Sequence, residues 1–89
     1  MIISAAVRGY VNGEYNIFPV HRHADFFVWM KQLHCIYDKN EIGQGFLNCR
    51  DLGTYEFVSR EKAYDIALRE KQIQGPTDTP GELFSEDIY

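Results

Sequence analysis

His21-Arg22-His23-Ala24-Asp25 is the stretch of this 89-residue chain that holds most chemistry. It stands where a strand-like run gives way to a helical one. Its cations therefore fall at a helix start, where unpaired N–H groups and the helix dipole favour negative charge. A cation there costs a few tenths to about 1 kcal/mol, and Asp25 offsets part of that. Arg60 repeats the oddity directly after Ser59, a good N-cap for a second helix. Cations beside the open amides of a helix start make a site for a phosphate or carboxylate, which an arginine grips through its fork. In the alternative reading, Arg22 and Arg60 turn outward and pair with Asp25, Glu61 or the acidic tail. The candidate ligand-binding set is His21, Arg22, His23 and Arg60, with Tyr64 as a ring to stack on a base. Glu86 and Asp87 join it as tail carboxylates that partner the cations and close the site.

The spacing serves metal binding and catalysis less well. His21-x-His23 with His34, Cys35 and Cys49 offers ligand types, yet there is no Cys-x-x-Cys, His-x-x-x-His or His-Glu-x-x-His. No metal and no cofactor is expected. A general base is available from His21, His23, His34, Glu86 or Asp87. Cys35 beside His34 is a poor nucleophile pair, because adjacent helix residues point apart. Gly43-x-Gly45 lacks the third glycine and following helix of a phosphate loop. Arg60-Glu61 runs on into Lys62-Ala63-Tyr64-Asp65, not the two glutamates a Nudix box needs. The expected protein is not an enzyme.

The elements that must position these residues follow from periodicity. Residues 2–8 and 14–20 read as two strands joined at Asn12-Gly13, the strongest short hairpin signal. Over 22–37, Phe26, Trp29, Met30, Leu33, Ile36 and Tyr37 fall on one stripe of an amphipathic helix. Residues 44–49 and 54–58 read as two more strands around the turn RDLG, with Gly43 and Gly45 keeping the chain before them loose. A second helix spans REKAYDIALREKQ on an apolar face of Ala63, Ile66 and Ala67, and Gly75-Pro76 stops it. The fold class is α+β: a four-stranded, mainly antiparallel sheet in hairpin–helix–hairpin–helix order, with both helices on one face. It forms a single domain over 1–89, with an exposed loop at 75–81 and a docked C-terminal tail.

Composition bounds the rest. A chain of this length buries only about 60–65% of its unfolded surface, so any ligand site is shallow or shared between subunits. Nine Lys plus Arg against thirteen Asp plus Glu give −4, which speaks against general nucleic-acid binding. No apolar run reaches the roughly 20 residues of a membrane span, and the N-terminus does not read as a signal peptide. Two cysteines are too few for a secreted disulfide scaffold, so Cys35 and Cys49 read as reduced, small buried hydrophobes. Six Phe, six Tyr and one Trp are more rings than so thin a core can hide. Tyr10, Tyr15, Tyr55 and Tyr89 are the candidates for exposed stacking or subunit contact, and a homo-oligomer is the expected way to cover the surplus.

Arg22-His23-Ala24-Asp25, Gly45-Phe46, Phe57-Val58-x-Arg60-x-x-Ala63-x-x-Ile66-Ala67, Gln72-Ile73 and the closing Ser85-Glu86-Asp87-Ile88-Tyr89 form a pattern over nearly the whole chain. It resembles a family of small bacteriophage and prophage proteins that end in a Ser-Glu-Asp-apolar-aromatic tail. That family carries a glycine where this chain has Lys71. The resemblance implies a phage origin and a host-cytoplasm setting, and by analogy a counter-defence role. The expected function is binding of an anionic, nucleotide-like molecule without turnover. The alternatives are a protein-binding inhibitor of a host defence component and a small nucleotide hydrolase.

Overall fold

A computed structural model describes residues 1–51, 53–73 and 81–88. Strand β1 (Ile2–Val11) turns at Asn12-Gly13 into β2 (Glu14–Val20). The turn residues have φ of 52° and 83°, the left-handed pair that a two-residue type I′ hairpin demands and that Asn and Gly reach most easily. Helix α1 (His23–Gln32) leads to β3 (Gly43–Asp51), which pairs with β4 (Thr54–Val58), and α2 (Arg60–Arg69) follows. The sheet order is β2-β1-β3-β4 and every pairing is antiparallel. This is the α+β architecture that the hydrophobic periodicity predicts.

Alternation along the strands decides which side chains meet the helices. Ala5 lies opposite both Val20 and Phe46, Val7 opposite Phe18, and Phe46 opposite Val58. Phe26 and Met30 of α1 join Ala63, Ile66 and Ala67 of α2 over these positions in one buried cluster. Both helices therefore cover the same face. Gly45 belongs to β3 and does not loosen the chain: an added Cβ would sit 2.6 Å from the Phe57 ring. Strands β1 and β3 also run further than their composition suggests, and β3 takes in Arg50 and Asp51, which read as turn.

The helix ends correct the periodicity reading. α1 stops at Gln32, well short of residue 37. His34 takes φ of 56°; its N–H donates to Lys31 O at 3.3 Å, and Cys35 N–H donates to Met30 O at 3.0 Å. These are the two bonds of a Schellman closure. The chain beyond is captured by the first hairpin: Asn12 N–H donates to Ile36 O, and Asn12 Oδ1 accepts from Ile36 N–H, both at 2.8 Å. Tertiary hydrogen bonds thus replace another helical turn. In consequence Leu33 and Ile36, expected in the core stripe, are 69% and 78% exposed, while Trp29, on the flank of α1 itself, is 44% exposed.

α2 ends the same way. Lys71 has φ of 58°, its N–H donates to Leu68 O at 3.1 Å, and Gln72 N–H donates to Ala67 O at 2.8 Å. The freed Gln72 side chain reaches β1, where Nε2 donates to Ile2 O at 2.7 Å and Oε1 accepts from Ile2 N–H at 2.8 Å. The expected helix stop at Gly75-Pro76, most of the 75–81 loop, and Tyr89 lie outside the described residues. Cys35 and Cys49 are half-buried free thiols.

A left-handed Lys carries a steric cost that glycine does not. Lys71→Gly is therefore expected to stabilise the fold by about 0.5–1 kcal/mol after the extra unfolded-state entropy of glycine is deducted. Chemical denaturation should show a higher midpoint at an unchanged slope; a lower midpoint would contradict the left-handed assignment.

Candidate functional site

Two helix starts and the C-terminal segment converge on the Arg60 guanidinium. Ser59 Oγ caps α2 by accepting from Lys62 N–H at 3.2 Å, which fixes Arg60 in the first turn. Its Nη1 donates to the carbonyl of Leu83 at 2.9 Å and its Nη2 to Gln44 Oε1 at 2.8 Å. Nη2 also faces His23 Nδ1 at 3.3 Å, and the guanidinium carbon lies 4.5 Å from the centre of the Phe84 ring. The backbone adds a second tie, Leu83 N–H to Arg60 O at 3.0 Å. Leu83 itself is fully buried.

His23 opens α1 and is buried. Its Nε2 lies 2.7 Å from the Gly45 carbonyl, which only accepts, so the ring proton sits on Nε2. Nδ1 then offers its lone pair to Arg60. Burial pushes the His23 pKa below its ordinary 6.5 and the Arg60 charge pushes the same way, against the Gly45 hydrogen bond and Glu86. A neutral imidazole between a carbonyl and a guanidinium is the consistent state. Burial also lowers the Arg60 pKa, countered by Glu82, Glu86, Asp87 and Glu61, and the guanidinium stays charged.

The remaining predicted site residues divide clearly. Arg22 lies at the mouth of this cleft, 4.0 Å from Glu86 across an exposed ion pair, an arrangement worth at most about 1 kcal/mol. Its backbone N–H donates to Asp25 Oδ2 at 3.3 Å, half of a capping box. Asp87 turns inward and accepts from Phe84 N–H at 2.8 Å, so it holds the tail's short 3-10 turn, Ser85–Asp87. His21 is exposed, and Tyr64 is buried in the core cluster, away from the cleft lining. The cleft measures about 420 Å³, with Arg22, His23, Arg60, Phe84, Ser85 and Glu86 around it and Ala24 at its edge. Gln44 and Phe84 are not legible as site residues in the sequence, since their role is to satisfy Arg60.

A second, larger concavity of about 810 Å³ opens at the other end of α1. Phe27, Met30, Cys35 and Tyr37 supply its apolar surface, and Lys31, His34, Lys39 and Gln44 its polar groups. Phe27 and Tyr37 are ring neighbours, with centroids 6.2 Å apart. The Schellman turn builds this groove by folding Cys35 back against Met30. Asp38, beside it, is turned away to cap the Lys39–Glu41 turn through Asn40 N–H at 2.9 Å. The signal in the sequence is the basic run Lys31, His34, Lys39 around a helix end in an otherwise acidic chain.

Fold and concavities define a small two-layer α+β protein with a concavity at each end of its first helix. The chain belongs to the phage T4 y16D protein family, whose model it matches over residues 1–89. The resemblance to a small phage protein family is thereby borne out. No curated protein and no solved structure matches the chain. Among the described residues, no helix is long and apolar enough to cross a membrane, and no three His, Cys, Asp or Glu side chains cluster in a way that would hold a metal ion.

The His23 pKa is lower in the folded than in the unfolded chain, so the unfolded chain takes up a proton first as pH falls. Its contribution to stability is complete above the unfolded value of 6.5 and is lost as pH falls through and below that value. The slope is bounded at about 1.4 kcal/mol per pH unit for one proton. Melting curves between neutral and mildly acidic pH should show this loss in the natural chain and a flatter profile in His23→Gln, which keeps a donor for Gly45 and cannot charge. Equal profiles would remove His23 as the titrating group.

Proposed function

We propose that this phage protein binds a small organic anion with an apolar or aromatic body, a nucleotide-like molecule, and holds it without turnover. The observation that carries the reading is the groove beside the end of α1: rings and a thioether on its floor, Lys31, His34 and Lys39 on its rim. Its volume, about 810 Å³, lies in the range of small-molecule sites. The apolar floor suits a base or similar ring, and the ammonium groups suit a phosphate or carboxylate. The cleft at the helix starts fits that task less well, because three of the five Arg60 N–H donors are already engaged by Leu83, Gln44 and His23. Membership of a phage family supports a role during infection. Sequestration of a host signal, as counter-defence in the host cytoplasm, is the form we infer. Exposed Tyr10, Ile17 and Tyr15 on the sheet's helix-free face favour the second reading, an inhibitor that docks on a host protein.

Calorimetric titration against nucleoside monophosphates, diphosphates and cyclic nucleotides tests the first reading. Heat with one class is expected, with the ligand recovered intact. Lys39→Glu and Lys31→Glu should each weaken binding at least tenfold, roughly 1.4 kcal/mol. Arg22→Ala should leave it within a factor of about two, as expected for a charge held in a surface ion pair. Loss of binding in Arg22→Ala with Lys39→Glu silent would return the site to the helix starts. Absence of heat throughout would sink the proposal in favour of the protein-docking reading, and product formation would make the protein a hydrolase.

A further inference from the structure

Gln44 stands between the two concavities. It lines the groove beside the end of α1, and it takes a bond from Arg60, which lines the cleft at the helix starts. Alternation along β3 puts it on the helix-bearing side of the sheet, the side of buried Phe46. Arg60 Nη2 lies 2.8 Å from its Oε1, a charge-assisted bond. A guanidinium only donates, so the oxygen of the amide faces it. That removes the freedom of a glutamine to present either end of its amide. The other end, Nε2, carries two N–H donors and has no hydrogen-bond partner among the described residues.

We propose that the Gln44 amide is a ligand-binding group of the groove, donating from Nε2 to an anionic oxygen of the bound molecule, and that Arg60 positions it. This role rests on the groove being the ligand site, as proposed above. Lys31, His34 and Lys39 are exposed side chains of the groove; they supply charge without a fixed direction. Among the described residues, Gln44 is the polar side chain of the groove lining that another side chain holds in place. The bond acts through the amide as well. The guanidinium draws electron density toward Oε1, which leaves the N–H groups more positive and better donors. An anionic oxygen is the acceptor that gains most from such donors. Arg60 therefore serves the ligand without touching it, its charge reaching the groove as the polarity of an oriented amide. The same orientation disfavours a ligand group that only donates, such as an ammonium, at this position.

The test compares Gln44→Glu and Gln44→Met in the full chain, by calorimetry with adenosine and uridine monophosphates and their cyclic forms. Gln44→Glu keeps an acceptor for Arg60 and removes the donors. Gln44→Met removes both and brings no charge. For a nucleotide that binds the natural chain, each variant should weaken binding about tenfold or more, the loss expected of a hydrogen bond to a charged group. The Leu83 amide, which donates to Arg60 O, should exchange no faster in Gln44→Glu than in the natural chain, the sign that the Arg60 bonds survive. Adding the nucleotide to the natural chain should also shift the side-chain amide resonances of Gln44. Weakening in Gln44→Glu alone would be the effect of a misplaced negative charge. Weakening in Gln44→Met alone would be that of a disturbed Arg60. Either result overturns the role of the Gln44 donors, and so does binding that both variants retain, with the groove left standing as the ligand site. No heat with any of these nucleotides in the natural chain overturns the groove and the role of Gln44 together.

Discussion

The Arg60 guanidinium is the point on which the arrangement of the chain depends. It is the first residue of α2, yet it serves β3 through Gln44, α1 through His23 and the C-terminal segment through Leu83 and Phe84. The cost of partly burying a cation is met by three hydrogen bonds and a ring face, the condition under which such a group is stable. The dependence runs the other way as well. Without Arg60 the Leu83 carbonyl and the His23 lone pair lose their donor, and an unsatisfied buried polar atom costs about 1–3 kcal/mol. The tail is held because its own backbone completes the arginine's bonding.

This explains how a pattern that reads as an anion grip also serves as a structural clasp. Arginine and histidine at two helix starts are equally suited to a phosphate and to a peptide carbonyl beside a carboxylate. What decides is whether the chain itself brings acceptors within reach. Here Leu83 O and Gln44 Oε1 arrive at 2.9 and 2.8 Å, and Glu86 supplies negative charge nearby. His23 is kept neutral by burial and by the neighbouring guanidinium, so the pair does not stack two positive charges. The proposed ligand is instead placed where cationic side chains stand over an apolar floor.

The parts of the fold that are legible in the sequence are those fixed by local rules. Asn12-Gly13 specifies its turn by backbone conformation alone, Ser59 its cap by a short side chain, and Ala63, Ile66 and Ala67 their face by spacing. Arg22, His23, Arg60 and Glu86 are found together for the same reason: two helix starts and an acidic tail are local features. Their roles are not legible, because one acceptor on Arg60 is the backbone carbonyl of Leu83, and a carbonyl leaves no mark in a side-chain pattern. The helix ends escape for a related reason. His34 and Lys71 take a conformation normally signalled by glycine, and the sequence shows none at either place.

That hidden left-handed residue after α1 has wide effects. Had the helix run on to residue 37, Leu33 and Ile36 would have continued the stripe that begins at Phe26. Instead His34 reverses the chain, Asn12 of the first hairpin takes Ile36 by both backbone groups, and Cys35 folds back onto Met30. One backbone event therefore lays the floor of the groove and pushes Leu33 out of the surface. A chain of 89 residues has too little interior to carve a cavity from its core. It gains concave and convex surface by ending a helix early, while the apolar side chains that the ending displaces stay exposed at the rim.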